Sequence, residues 1–431
     1  MAMKKDGKNN SALKDAMKGC YGSEVKPSQV SQWLIDNIMD NIGRETKITL
    51  NIMSCPGVGK TSLVKQLAKK PVTWNGKDYD GFAVVDIPLA QIEEMGDVLG
   101  YPVEEIKMLK LDADGKTVKD EKWIKAVDSL IASYMDKGWT TENEQRTIYA
   151  KPSWVPTEER PGVILFDDGN RASQRIMKGL MQLVQDYRTI SWTLPEGWTI
   201  VFTGNPDNRF NQVTSMDSAQ LSRMKFISLV PDAVEWSVWA ENNNIDKRLI
   251  SFVLRYPEMM VGSERTNPRS LAEFGRALKR FPTLDQESYK KCLIEANASL
   301  DKGTIETLMV FLQRDTELVI DPQSVLDDYE KNAKKQLENL MNRTEPRIDI
   351  VNVINDRLYA YIVSDNYVFD KKHVSNFQSW LLDPNLPKDC SYALVRRLCF
   401  SDQDCPYTRM LLSNNKELLK IVKTGIGDKM F

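Results

Sequence analysis

The chain carries one histidine in 431 residues, His373, directly behind Lys371 and Lys372. Imidazole acid–base catalysis and histidine-rich metal sites therefore have almost nothing to be built from, and His373 is expected at the surface. Cysteine is scarce and unpatterned. Cys20, Cys55, Cys292, Cys390, Cys399 and Cys405 form no Cys-x-x-Cys and no metal-ligand spacing, so they read as reduced thiols. No stretch approaches the ~18 apolar residues of a membrane span, and the first ten residues hold no apolar signal core, so a cytoplasmic protein is expected. Blocks of like charge are missing too. With 58 Lys and Arg against 60 Asp and Glu the net charge is −2, so composition gives no support for a nucleic-acid or anionic-membrane surface, which would have to come from a local patch.

What is present begins with length: 431 residues, 42% hydrophobic and 27% charged, are enough for two or three soluble domains with real cores. The most informative stretch is Ile48 to Ser62 (ITLNIMSCPGVGKTS). Ile48, Leu50 and Ile52 alternate as a buried strand does. After Ser62 the spacing turns helical, with Leu63, Leu67 and Ala68 on one face. Between the two lies a loop of the phosphate-binding type. Gly57 and Gly59 let backbone N–H groups approach an anion, the helix N-terminus adds partial positive charge, Lys60 reaches the β and γ phosphates, and Thr61 can hold Mg²⁺. The loop Pro56, Gly57, Val58, Gly59, Lys60, Thr61 and Ser62 is the expected nucleotide-binding set. Ser54 stands where an opening glycine is usual. Cys55 lies inside the loop, where oxidation is expected to block a nucleotide.

Residues 1 to about 25 are polar and pattern-free and are expected to form a disordered arm. Pro27 and Ser28 start a helix whose stripe is Val30, Leu34, Ile38 and Ile42, ending at Gly43. Four apolar runs follow the loop strand, at 82–85, 163–166, 199–203 and 226–230, with helical or long loop segments between. They predict an α/β domain over 26–230 built on a parallel five-stranded sheet. The stretch 103–150 mixes charges of both signs and carries Asp112-Ala-Asp-Gly115, so it reads as an insertion. Every later periodic segment is helical, for example Ile350, Ile354, Leu358 and Tyr361, or Met410, Leu411, Leu418 and Ile421. The expected division is an α-helical lid over 231–315 and a C-terminal helical domain over 316–431, with Asp321-Pro322 opening the latter.

Val163 to Asp168 (VILFDD) is a buried strand ending in two carboxylates, which brings one acid to the Mg²⁺ water shell and a second to the attacking water. Thr199 to Asn205 (TIVFTGN) repeats the design, with the Asn205 amide at a strand end where it can orient water against a γ-phosphate.

In order along the chain these motifs resemble a MoxR-type AAA+ ATPase, most clearly over residues 27 to 281. Ser54–Thr61 (SCPGVGKT) resembles the Walker A motif, Leu165–Ala172 (LFDDGNRA) the Walker B motif with its trailing Asn-Arg-Ala, and Phe202–Pro206 (FTGNP) sensor 1. Asp217–Arg223 (DSAQLSR) resembles the helix end that supplies an arginine finger, and Asn267–Ser270 (NPRS) the sensor 2 turn of the lid. Asp86–Pro102 and Leu194–Trp198 match non-catalytic parts of the same family. The resemblance implies a P-loop NTPase fold and ATP hydrolysis with Mg²⁺. Lys60, Thr61 and Asp167 would bind Mg·ATP, Asp168 would polarise water, and Asn205 would position it. Arg223 would reach a neighbouring subunit's γ-phosphate, and Arg269 would sense the nucleotide in cis. It further implies a ring, expected as a hexamer, that remodels a protein client or adaptor, with a von Willebrand factor A domain protein as the partner class. Three positions depart from the pattern: Ser54 replaces glycine, Met224 replaces the aromatic after the finger, and Asp168 replaces glutamate. The last shortens a side chain by one CH₂, and a misplacement of about 1 Å can cost roughly 10²-fold in rate.

Two other functions compete with a protein-remodelling ATPase. A nucleic-acid motor or loader would need a basic, aromatic-bearing loop in the 103–150 insertion, but Lys107, Lys110, Lys116 and Lys119 alternate there with Glu104, Glu105, Asp112 and Asp114. A slow nucleotide-gated scaffold follows if Asp168 is a poor base.

Overall fold

The computed structural model describes residues 17–112, 115–207, 213, 216–261, 264–314, 320–364 and 368–400. Most of the first expected segment, 1–16, the helix read from Met410 to Ile421, and Cys405 lie outside them.

The organising element is a six-stranded, wholly parallel sheet. Its strands are β1 (Ser23–Val25), β2 (Thr49–Met53), β5 (Ala83–Pro88), β9 (Gly162–Asp167), β10 (Trp198–Gly204) and β11 (Met224–Leu229), in the order β1-β11-β2-β10-β9-β5. Both faces are covered, so β2, β9 and β10 read as nearly continuous buried runs rather than alternating ones. One face packs on α1 (Pro27–Asn41) and α2 (Lys60–Gln66), through Val30, Leu34, Ile38 and Val64. The other packs on α3 (Met95–Leu99), α5 (Gln174–Gly179) and α6 (Met181–Asp186), through Val98, Ile176, Met177, Leu183 and Val184. A short antiparallel hairpin, β3 (Val72–Trp74) and β4 (Lys77–Tyr79), turns on Asn75 and Gly76, both at positive φ.

Two expectations are corrected here. The sheet has a sixth strand, and the segment read as a pattern-free arm is ordered from Met17 onward: β1 pairs with β11, and Met17 is buried against Cys55. Three residues are too short to show a period of two, and an edge strand is held by backbone hydrogen bonds that any sequence can make.

The 102–149 stretch is a separate antiparallel sheet, β7-β6-β8, of β6 (Pro102–Leu111), β7 (Val118–Lys125) and β8 (Trp139–Tyr149). Helix α4 (Asp128–Met135) closes one face over Ile106, Met108 and Ile124. After α7 (Ser218–Leu221) and β11 only helices follow among the described residues. Helices α8 (Ala233–Asn242), α9 (Lys247–Arg255), α10 (Pro268–Leu278), α11 (Gln286–Ser299) and α12 (Lys302–Arg314) share one core, centred on Leu249, Phe252, Phe274 and Phe311. A second core gathers α13 (Pro322–Asp328), α14 (Lys334–Met341), α15 (Ile348–Val363), α16 (Lys371–Leu381) and α17 (Lys388–Cys399) around Tyr329, Leu358, Phe377 and Trp380. The two cores exchange members. Val238 of α8 is buried in the second, Val353 of α15 in the first, and a buried Arg357–Glu241 pair crosses between them at 3.3 Å.

His373 is not a free surface residue. It is half-buried in the first turn of α16, where Nδ1 accepts the Asp370 N–H at 3.1 Å and Nε2 lies 3.0 Å from Asp327.

Candidate nucleotide site

Parallel strands deliver their C-terminal ends to one edge of the sheet, and the singled-out residues of β2, β9 and β10 meet there. Met53, Phe166 and Phe202 lie nearly level across neighbouring strands, so the loops that follow are adjacent. Gly59 caps α2 from a left-handed conformation at φ +99°, closed to most side chains. The first N–H groups of α2 have no partner within the helix and remain available to an anion.

Lys60 is 7% exposed, and its three ammonium protons are all engaged: by the Ser54 carbonyl at 3.0 Å, the Cys55 carbonyl at 3.1 Å and Asn205 Oδ1 at 3.0 Å. Burial pulls its pKa down to about 8, against the opposing charges of Asp168 and Asp167. Thr61 donates to Asp167 Oδ1 at 2.7 Å, which sets a hydroxyl and a carboxylate side by side at the start of α2. Asn205 connects the parts: its Nδ2 donates to Asp168 Oδ1 at 2.9 Å while its Oδ1 accepts from Lys60. An ammonium only donates and a carboxylate only accepts, so the amide has one orientation. Asp168 itself is left-handed, at φ +50° and ψ +42°, and its N–H donates to Thr203 Oγ1 at 3.1 Å.

The lid reaches the same loop. Asn267, the N-cap of α10, accepts from the Arg269 and Ser270 N–H groups. A Cβ built on Gly57 would lie 2.3 Å from Asn267 Oδ1 and 3.2 Å from Arg269 Cβ, so Gly57 is where lid and loop touch. Arg269 is exposed there, and its guanidinium makes no hydrogen bond or ion pair among the described residues.

Arg223 is elsewhere. It precedes β11, whose Met224 is level with Thr49, the start of β2, whereas the phosphate-type loop follows Met53. Four residues of strand separate the two ends, ~13 Å. Its guanidinium donates to Gln185 Oε1 at 2.7 Å and the Ala219 carbonyl at 2.6 Å, on the wall of an open groove of about 450 Å³ shared with Lys47 and Lys225.

Two of the departures acquire a physical reason. Ser54 is fully buried, and its hydroxyl donates to the Leu229 carbonyl at 2.6 Å, tying the loop to β11 in a way glycine cannot. Met224 is buried among the aromatics under the sheet, and its sulfur accepts from Asn51 Nδ2 at 3.6 Å. Burial pushes the pKa of Cys55 up against the pull of Lys60, which disfavours the thiolate that oxidation requires. Sequence reasoning missed Thr203, which donates to Asp167 Oδ1 at 2.5 Å, and Asn170, which bonds the Asn205 backbone. The signal for both was their place beside singled-out residues on paired strand ends.

Strand order, loop and the helices that touch it together define a P-loop α/β fold with a helical domain against the loop. Neither a family model nor a curated protein matches the sequence. Solved structures that align with the chain do so at low identity. The RuvB Holliday junction branch migration motor of Thermotoga maritima is 13% identical over 71% of this chain and 75% of that one, with a TM-score of 0.32. A DNA polymerase III gamma subunit-related protein of Thermotoga maritima is 12% identical over 92% and 99%, with a TM-score of 0.29. Hsp104 in its closed state with ATPγS and FITC casein is 12% identical over 65% and 47%, with a TM-score of 0.31.

Proposed function

We propose that the chain is a MoxR-like AAA+ ATPase that couples Mg·ATP hydrolysis in a ring of subunits to remodelling of a protein client or adaptor. The observation that carries this reading is the pair of hydrogen-bonded groups at the loop edge of the sheet, Lys60 with Asn205 and Asp168, and Thr61 with Asp167, joined through Thr203. In it Lys60 exchanges its carbonyl acceptors for β and γ phosphate oxygens. Thr61 and Asp167 would hold Mg²⁺, which when bound would neutralise charge on the phosphates. Asp168, steadied by the Asn205 amide, takes the proton of the attacking water, and Arg269 approaches the phosphates from the lid.

A protein client is favoured over nucleic acid by the inserted sheet. Two of its cations are engaged internally: Arg146 bonds Glu105 at 2.8 Å and stacks on Trp123 at 4.2 Å, and Lys107 bonds Glu121 at 3.2 Å. Trp123 therefore has one face already covered and little to offer a stacked base. By the resemblance, a von Willebrand factor A domain protein is the partner class to seek first. Calorimetry of Mg·ATP with wild type and Lys60→Ala tests the assignment. Loss of Mg²⁺-dependent binding in the variant is expected, and unchanged affinity refutes the phosphate-loop reading.

A further inference from the structure

Asn205 depends on its neighbours for its position, since it follows the end of β10 and its side chain is committed at both ends, to Lys60 and Asp168. What fixes its backbone is Asn170. This side chain is 4% exposed and spans the gap between the turn after β9 and the end of β10. Its Nδ2 donates to the Asn205 carbonyl at 2.6 Å, and its Oδ1 accepts the Asn205 N–H at 3.1 Å. Both backbone polar groups of one residue are thus met by one amide, and a flipped amide would oppose donor to donor and acceptor to acceptor.

Two glycines allow the approach. A Cβ on Gly169 would lie 2.5 Å from the Phe202 ring, and one on Gly204 would lie 3.1 Å from Asn170 Oδ1. The turn Gly169–Arg171 can press against β10 because neither carries a side chain. The same turn begins from Asp168, so Asn170 ties the acid and the amide into one frame.

We infer that Asn170 is a positioning residue for ATP hydrolysis, setting the Asn205 amide between Lys60 and Asp168 without itself touching the nucleotide. The inference rests on the ATPase reading above. Loss of the clamp lets Asn205 shift by a fraction of its side-chain length, and misplacement of about 1 Å costs on the order of 10²-fold in rate.

The experiment compares Asn170→Ala, Asn205→Ala and the double variant in turnover at saturating Mg·ATP and in Mg·ATP affinity by calorimetry. Asn170→Ala should lose about 10²-fold in kcat while affinity changes by less than about threefold, a split that general destabilisation does not produce. The double variant should be no slower than the slower single one, because both changes remove the same arrangement. Asn170→Asp keeps the acceptor for the Asn205 N–H and loses the donor to its carbonyl, so its kcat should fall between wild type and Asn170→Ala. If Asn170→Ala does not fold, Asn170→Asp paired with Asn205→Ala answers the same question. Wild-type turnover in the Asn170 variants, or effects that multiply in the double variant, overturns the inference while leaving an ATPase in place. A wild-type chain that binds but never hydrolyses ATP instead overturns the reading on which it rests.

Discussion

The two ends of the central sheet each hold a cation that the sequence singles out, and they treat it in opposite ways. At the loop end Lys60 is buried, carries three acceptors of its own chain and is pulled to a pKa of about 8. At the other end Arg223 is half-buried on a groove wall and bonded, among the described residues, only to an amide oxygen and a carbonyl. Neutral hydrogen bonds of that kind contribute only about 0.5–1.5 kcal/mol each. On the function proposed above, Lys60 serves a ligand of its own subunit, and Arg223, ~13 Å from that site, serves a phosphate presented from outside.

The sharpest way to break this contrast is Arg223→Ala. If the arginine completes a neighbour's site, turnover should fall by about 10³–10⁵-fold, with thermal stability unchanged. Mixing Arg223→Ala with Lys60→Ala subunits should restore part of it, measured as phosphate release in mixtures shown by sizing to co-assemble; no rescue there means that Arg223 acts in cis or is structural. Next in size is Asp168→Asn, which should retain ATP and lose hydrolysis by about 10²–10⁴-fold, the range of a positioned base. Asp168→Glu should turn over at least as fast as wild type, and equal rates in all three chains would assign the base elsewhere.

Arg357 offers a third cation for calibration, buried like Lys60 but facing the Glu241 carboxylate. Arg357→Ala should cost about 3–5 kcal/mol in urea unfolding, whereas Arg357→Met combined with Glu241→Leu should cost far less, because no buried charge is left alone. The smallest effect is a proton. Phosphates should raise the pKa of Lys60 from about 8, so ATP binding at pH 8 should take up about half a proton, and almost none at pH 6.5. Calorimetric binding enthalpies in buffers of different ionisation enthalpy report it. The same depression makes the folded chain gain stability as pH rises from about 8 toward 10.5, where only the unfolded state still holds the proton.

Much of the loop edge was legible because its residues lie in short contiguous motifs. Lys60, Thr61, Asp167, Asp168 and Asn205 converge as their order on successive strands implies. Thr203 and Asn170 were not legible as parts of the site, because their work is done across the β9–β10 boundary and depends on strand order. Five strands showed as apolar runs, while β1 is too short to show a period. The inserted sheet was hidden for another reason. Ile106, Met108 and Ile124 face α4, but the intervening Glu105, Lys107 and Trp123 face away, and the charges dominate the pattern.

The exchange of Val238 and Val353 between the two helical cores has a mechanical consequence. Helices that bury residues in each other's interior cannot slide apart without opening both, so the two helical groups should tilt together as one lever that pivots where Asn267 meets Gly57. A lever of this kind converts angle into travel. A small tilt where Asn267 rests on the loop sweeps the far C-terminal helices through a longer arc, in proportion to their distance from that fulcrum.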